Sequence, residues 1–201
     1  MQSRLIAVAV LLVAGASACG GTRAQRDRAD VRLARAAGAA AAPLSIPARA
    51  VAALQLDAET AERRGTFSIS GRPHAIFVAP TARGTTCVLD VTEQHVGAGC
   101  SPDLFERHEL AWTLGFEGGP SPATVTGLRV AGVASARVGG VAAELSDGRR
   151  VALPLTAGGA FAYDSPPEDV HDGARPAALV ALDRAGRQLD RVELPALPPG
   201  G

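Results

Sequence analysis

From Thr66 the chain changes to an apolar–polar period of two, which returns in several segments separated by glycine-containing turns. Side chains that alternate in this way point to opposite faces of an extended strand, so the pattern commits the chain to sheets rather than helices. The segment VAAELSDGRRVALPL, Val141 to Leu155, constrains the fold most tightly, because its register can be worked out. A two-residue Asp147-Gly148 turn would set Glu144 against Val151 and Leu145 against Arg150, mixing the two faces. A three-residue loop, Ser146-Asp147-Gly148 with Gly148 left-handed, pairs Leu145 with Arg149, Ala143 with Val151 and Val141 with Leu153. One face then stays apolar, so the three-residue loop is expected.

The same reading extends in both directions. Phe67 and Ile69 alternate with Ser68 and Ser70, an apolar run covers Ala75 to Ala79, and Pro80 to Gly84 turns the chain. A strand over Thr85 to Thr92 puts Cys87, Leu89 and Val91 on one face and Thr86, Val88, Asp90 and Thr92 on the other. Gly97-Ala98-Gly99 reads as a turn from which Cys100 returns. Leu110, Trp112, Leu114 and Phe116 form a further strand. Gly158-Gly159 leads into Ala160 to Tyr163, and ALVALDRAGRQLDRVEL folds as a hairpin around Arg184-Ala185-Gly186. Helical signals are fewer. Ala48 to Arg64 reads as a short helix closed by Gly65. Ser101-Pro102-Asp103 places a capping hydroxyl, a first-turn proline and an acid where a short helix to Arg107 would begin. Short strands with glycine turns predict a mainly β chain, an antiparallel β-sandwich or small barrel-like domain with one or two short helices.

The N-terminus reads differently. Arg4, the apolar segment Leu5 to Ala14 and the small residues Gly15-Ala16-Ser17-Ala18 are the three parts of a secretory signal. The apolar run is too short to span a bilayer, which takes about 20 residues. Ala16-Ser17-Ala18-Cys19 resembles the lipobox of bacterial lipoproteins, although that family usually has Leu where Ala16 stands. The resemblance implies that the Cys19 sulfur carries a diacyl lipid and that Cys19 becomes the first mature residue. Ala16-Ser17-Ala18 also satisfies the rule for ordinary signal cleavage, so both forms of processing stay open. With Cys19 lipidated, Cys87 and Cys100 form an even pair in an oxidising compartment, and a disulfide between them is the default. The alternative for them, a metal site with His95, lacks the close-spaced pairs that structural zinc prefers. The resulting division is signal 1–18, an Ala/Arg/Gly-rich tether 19–47, a region of helix and hairpins with the disulfide at 48–119, and sandwich-like strands at 120–199. Gly118 to Pro122 is the best internal boundary.

Composition removes several classes of function. Formal charge is zero, which argues against nucleic acid as a partner. All twenty basic residues are Arg and Asn is absent, the mark of a high-GC bacterial genome rather than of a phosphate site. Aromatics make up 3% of the chain, too few for a base- or sugar-stacking platform. None of Ser70, Ser121 or Ser135 sits in a GxSxG elbow. His108-Glu109 begins the HExxH pattern, but Trp112 holds the second histidine position. Glu106, His108 and Glu109 therefore need distant His74 or His95 for any metal role. Asp164, Glu168, Asp169, His171 and Asp172 form an acidic, proline-rich loop without EF-hand spacing. The VALDRAGRQL hairpin resembles D-x-x-G turns of bacterial immunoglobulin-like and other secreted β-domains. The whole arrangement, with CVLDV, GAGCSP and LSDGRRVALPL, is similar to uncharacterised exported proteins of high-GC bacteria, and this implies no activity.

The sequence thus predicts a lipid-anchored β-domain on the extracytoplasmic face of the cell membrane, a binding or scaffold module for an unidentified protein or envelope component. Neither a catalytic residue nor a cofactor is nominated. Two alternatives remain open. One is a secreted hydrolase or metal-dependent enzyme built around His74, His95 and His108. The other is a regulatory lipoprotein acting on a membrane partner. Two histidines and a carboxylate in one pocket would favour the enzyme, and a broad exposed apolar patch would favour the other readings.

Overall fold

The computed structural model describes residues 44–69, 71–118, 125–165 and 174–195, together with the two-residue strand β1 (Arg35–Ala36). The leader, Cys19, most of the tether, Ser70, Ser121 and the acidic-loop residues Glu168, Asp169, His171 and Asp172 lie outside these residues. The remainder is mainly β. Eleven further strands follow β1: β2 (Glu62–Ile69), β3 (Arg72–Pro80), β4 (Thr86–Val91), β5 (Val96–Ser101), β6 (Leu110–Gly118), β7 (Val125–Ala134), β8 (Gly140–Leu145), β9 (Arg150–Leu153), β10 (Ala160–Ser165), β11 (Pro176–Leu182) and β12 (Gln188–Glu193). They pair antiparallel as three open sheets, in the orders β1-β2-β3-β4-β5, β10-β7-β6 and β12-β11-β8-β9.

The alternation of side chains sets how these sheets stack. One face of the first sheet (Phe67, Ile69, Ile76, Val88) packs on one face of the second (Ala131, Val133, Ala160, Ala162). The other face of the second sheet (Leu110, Val130, Phe161, Tyr163) packs on the third (Val141, Ala143, Leu153, Leu179). The second sheet is therefore sandwiched, and strands on either side of residue 120 share one core. A third cluster covers the outer face of the first sheet, where Ala75, Phe77, Leu89 and Val91 meet Leu44, Ile46, Val51 and Leu54 of the N-terminal segment. Burying both faces explains why β4 is covered along almost its whole length. The expected polar face of β4 is correspondingly an interior one.

The helical expectations are corrected. Helix α1 covers only Ala48–Leu54, and Gln55 closes it in the left-handed region at φ 53°. Gln55 and Asp57 are then taken up by the turn after β3: Ala82 N–H donates to Gln55 O at 2.9 Å and Asp57 N–H donates to Pro80 O at 2.8 Å. Long-range pairing outweighs the helix propensity of the charged run, and Glu62 onward is strand. The stretch 102–107 forms turns rather than a helix, with Asp103 N–H donating to Ser101 Oγ at 3.2 Å. Gly97-Ala98-Gly99 is not a turn either, because it lies within β5. Gly99 serves close approach: a Cβ there would stand 2.3 Å from the Trp112 carbonyl oxygen, where no side chain fits.

The hairpin register is as expected. Val141 pairs with Leu153 and Ala143 with Val151, while Leu145 N–H donates to Arg149 O at 2.7 Å and Gly148 adopts φ 83°. The β11–β12 turn repeats this chemistry. Gly186 is left-handed at φ 79°, and Asp183 Oδ1 accepts the backbone N–H groups of Ala185 and Arg187. The Arg187 N–H, and then its guanidinium, hold the Asp183 carboxyl below the usual carboxylate range. A depressed carboxyl contributes stability that is present above its ordinary pKa and lost as pH falls through the lower folded value. Asp183→Ala should therefore lower the urea midpoint at neutral pH, with the gap from the parent closing in acid. A gap unchanged down to the acid limb would assign the loss to the turn's backbone instead.

Candidate functional site

Cys87 and Cys100 stand directly opposite each other in β4 and β5, with Cα atoms 4.0 Å apart, and are joined by a disulfide. Cys87 is buried in the cluster on the outer face of the first sheet, whereas Cys100, on an edge strand, is exposed.

On the opposite face of β4, charged side chains converge inside the sandwich. Asp90 is 4% exposed, His74 0% and Arg129 3%. Residues so seldom buried need partners. Each is placed by strand alternation. Asp90 shares the inward face of β4 with Val88, and His74 shares that of β3 with Ile76, which pairs with Asp90. Arg129 reaches across from β7 in the second sheet. His74 Nδ1–H donates to Asp90 Oδ1 at 2.8 Å, and the Arg129 guanidinium lies 4.0 Å from Asp90 Oδ2. Arg129 Nη1 donates to His95 Nε2 at 3.3 Å, so His95 carries its proton on Nδ1, which faces Thr92 Oγ1 at 3.3 Å. Thr92 is itself fixed by the β4–β5 turn, its hydroxyl accepting the N–H groups of Gln94 and His95. Across the second sheet Arg129 stands opposite Asp164 on one side and Gly115 on the other.

A cavity of about 270 Å³ opens beside this cluster, lined by His74, His95, Arg129, Thr92 and, at the rim, Arg72 and Glu93. His74 Nε2 has no hydrogen-bond partner, although the ring is fully enclosed. The ring contributes to the cavity lining while its Nδ1 is held by Asp90.

His74 and His95 thus meet at one cavity with a carboxylate, as the enzyme reading requires, but His108 does not join them. It is exposed and bonded to Asp190, 3.2 Å from Nδ1 to Oδ2, beside a second cavity of about 350 Å³ next to Cys100 and Trp112. Ser135 Oγ donates to Glu109, whose other oxygen accepts Arg137 at 2.7 Å. That hydroxyl is therefore paired to a carboxylate rather than to a histidine. Glu106 lies exposed in the turns after β5. Among the described residues, no group of three or more His, Cys, Asp or Glu side chains is placed to hold a metal. The large hydrophobics that are exposed there are Phe105 and Phe116. Asp90 and Arg129 went unnominated in the sequence. The available signal was an acid in the middle of the apolar run CVLDV.

No protein-family model, curated protein or solved structure matches this chain. The class is therefore defined by fold and site alone: a disulfide-bearing, antiparallel β-sandwich with a polar cavity between its first two sheets.

Proposed function

We propose that this protein is an extracytoplasmic binding module, held to the membrane by acyl chains on Cys19, whose ligand site is the cavity between the first and second sheets. The observation that carries the binding reading is the convergence of buried His74, Asp90 and Arg129, from two sheets, beside a pocket that His74, Arg129 and the exposed His95 line. Burying His74, Asp90 and Arg129 is costly, and polar groups that converge beside a concave pocket are a feature of ligand sites. The cross-strand disulfide supports an oxidising compartment, where such bonds persist. The leader and the Ala16-Ser17-Ala18-Cys19 stretch support export and anchoring.

Anchoring is tested by Cys19→Ser. The parent should sediment with membranes and incorporate labelled palmitate, while the variant should do neither. Equal palmitate incorporation by both would refute lipidation at Cys19.

One observation favours the hydrolase as a second reading. The Asp90–His74 pair has the form of an oriented histidine, a carboxylate accepting from Nδ1–H on a ring that borders the pocket. Ester hydrolysis by the purified domain that disappears in His74→Gln would establish it. Absence of turnover would leave the binding reading in place.

A further inference from the structure

We propose that Cys100 is a modification site for a low-molecular-weight thiol, which exchanges into the Cys87–Cys100 bond and leaves Cys100 carrying a mixed disulfide. This goes beyond the binding reading and does not rest on it, because Cys87 and its partner lie on the outer face of the first sheet, away from the pocket between the sheets.

The two halves of the bond differ in access, and access decides which sulfur a thiol attacks. Cys87 is 0% exposed and belongs to the cluster that Leu44, Ile46, Val51 and Leu54 cover from outside. On the side of Cys87 away from Cys100 stands Ala79 of β3, its register partner and equally buried. Cys100 is exposed, and among the described residues β5 is the edge of the first sheet. Displacement at a disulfide sulfur comes from the side opposite the leaving sulfur. Cys87 and Cys100 face each other across β4 and β5, so that side lies toward β3 for Cys87 and toward the sheet edge for Cys100. The first approach is filled and the second is open. Beside Cys100 the cavity of about 350 Å³, lined also by Ser101, Asp103, Arg107 and His108, offers polar groups to the body of such a thiol.

The exchange balances without an outside oxidant or reductant. The thiol R–SH loses its proton and attacks as a thiolate, its sulfur bonding to Cys100 Sγ while the Cys87–Cys100 bond breaks. Cys87 leaves with the electron pair and takes up one proton, so the products are Cys100–S–S–R and a Cys87 thiol. That thiol stays among Ala75, Phe77, Leu89 and Val91, where burial disfavours a charged thiolate and slows the return attack. The same burial slows the departure of Cys87, so exchange runs over minutes to hours rather than seconds. With excess thiol, a second thiolate attacks the outer sulfur of the adduct, releases R–S–S–R and frees Cys100 reduced. Either product leaves β5 without its covalent pin.

The test is a time course of the full-length protein in mild detergent with reduced glutathione, at about pH 8 where a free thiol is partly ionised. Samples are quenched in acid, digested and mapped by mass spectrometry. Cleavage after Glu93 separates the two cysteines. At early times we expect the adduct on the Cys100 fragment to exceed that on the Cys87 fragment by about tenfold or more, and its rate to rise in proportion to glutathione. Cys87→Ala and Cys100→Ala read the same asymmetry one thiol at a time: Cys100 should alkylate with iodoacetamide about tenfold or more faster than Cys87. The parent's map carries the test by itself if neither variant folds. Adduct shared equally, or found mainly on Cys87, would overturn the assignment to Cys100. A rate that stays constant as glutathione rises would overturn it as well, since exchange would then wait on unfolding. So would an intact bond and no adduct at any glutathione concentration.

Discussion

Asp90→Ala should destabilise the domain by about 3–5 kcal/mol, the usual cost of removing one partner from a buried ion pair. Asp90 accepts from His74 and lies 4.0 Å from the Arg129 guanidinium, and all three side chains are at most 4% exposed. The substitution strips His74 of its acceptor and Arg129 of a neighbouring carboxylate. Asp90→Asn keeps the shape and an acceptor oxygen, so its loss should be smaller, about 1–3 kcal/mol. Replacing the cluster together, with Asp90→Leu, His74→Phe and Arg129→Met, should recover part of the stability while removing the site. Urea unfolding with a common slope measures all three. A loss below about 0.5 kcal/mol for Asp90→Ala would place the carboxylate in a solvated setting and dissolve the cluster as described.

Reduction of the Cys87–Cys100 bond should cost about 3 kcal/mol on the loop-entropy account, given the separation of 13 residues. The bond pins β5, the edge strand of the first sheet that carries Gly99 against Trp112. Its loss should therefore appear first as faster amide exchange in β5, with β7 and β11 still protected. A change below about 1 kcal/mol, with β5 exchange unaltered, would mean that the ladder alone holds this edge.

Local chemistry was legible in the sequence and long-range placement was not. Only Gly148 at the third loop position keeps both faces of the β8–β9 hairpin consistent, so its register followed from adjacent residues. The facing of Cys87 with Leu89 and Val91 followed from strand alternation in the same way. The helix expected to run to Arg64 stops at Leu54, because Gln55 and Asp57 bond to the turn after β3. Ser101-Pro102-Asp103 has the residues of a helix start, yet its hydroxyl serves a tight turn. The site escaped notice because His74, Asp90 and Arg129 come from three strands in two sheets. Their meeting depends on how those sheets stack. Alternation places Asp90 only on the face opposite Cys87, and nothing local reveals that the first sheet is covered on both sides.

Export is the claim on which the anchor, the disulfide and the site's setting together depend. Intact-mass spectrometry of the native protein recovered from cells tests it most directly, with alkylation before and after reduction. The account predicts a membrane-bound chain that begins at an acylated Cys19, takes up no alkyl group before reduction and gains two afterwards. A cytosolic chain that begins at Met1 and alkylates at Cys19, Cys87 and Cys100 without reduction would contradict it.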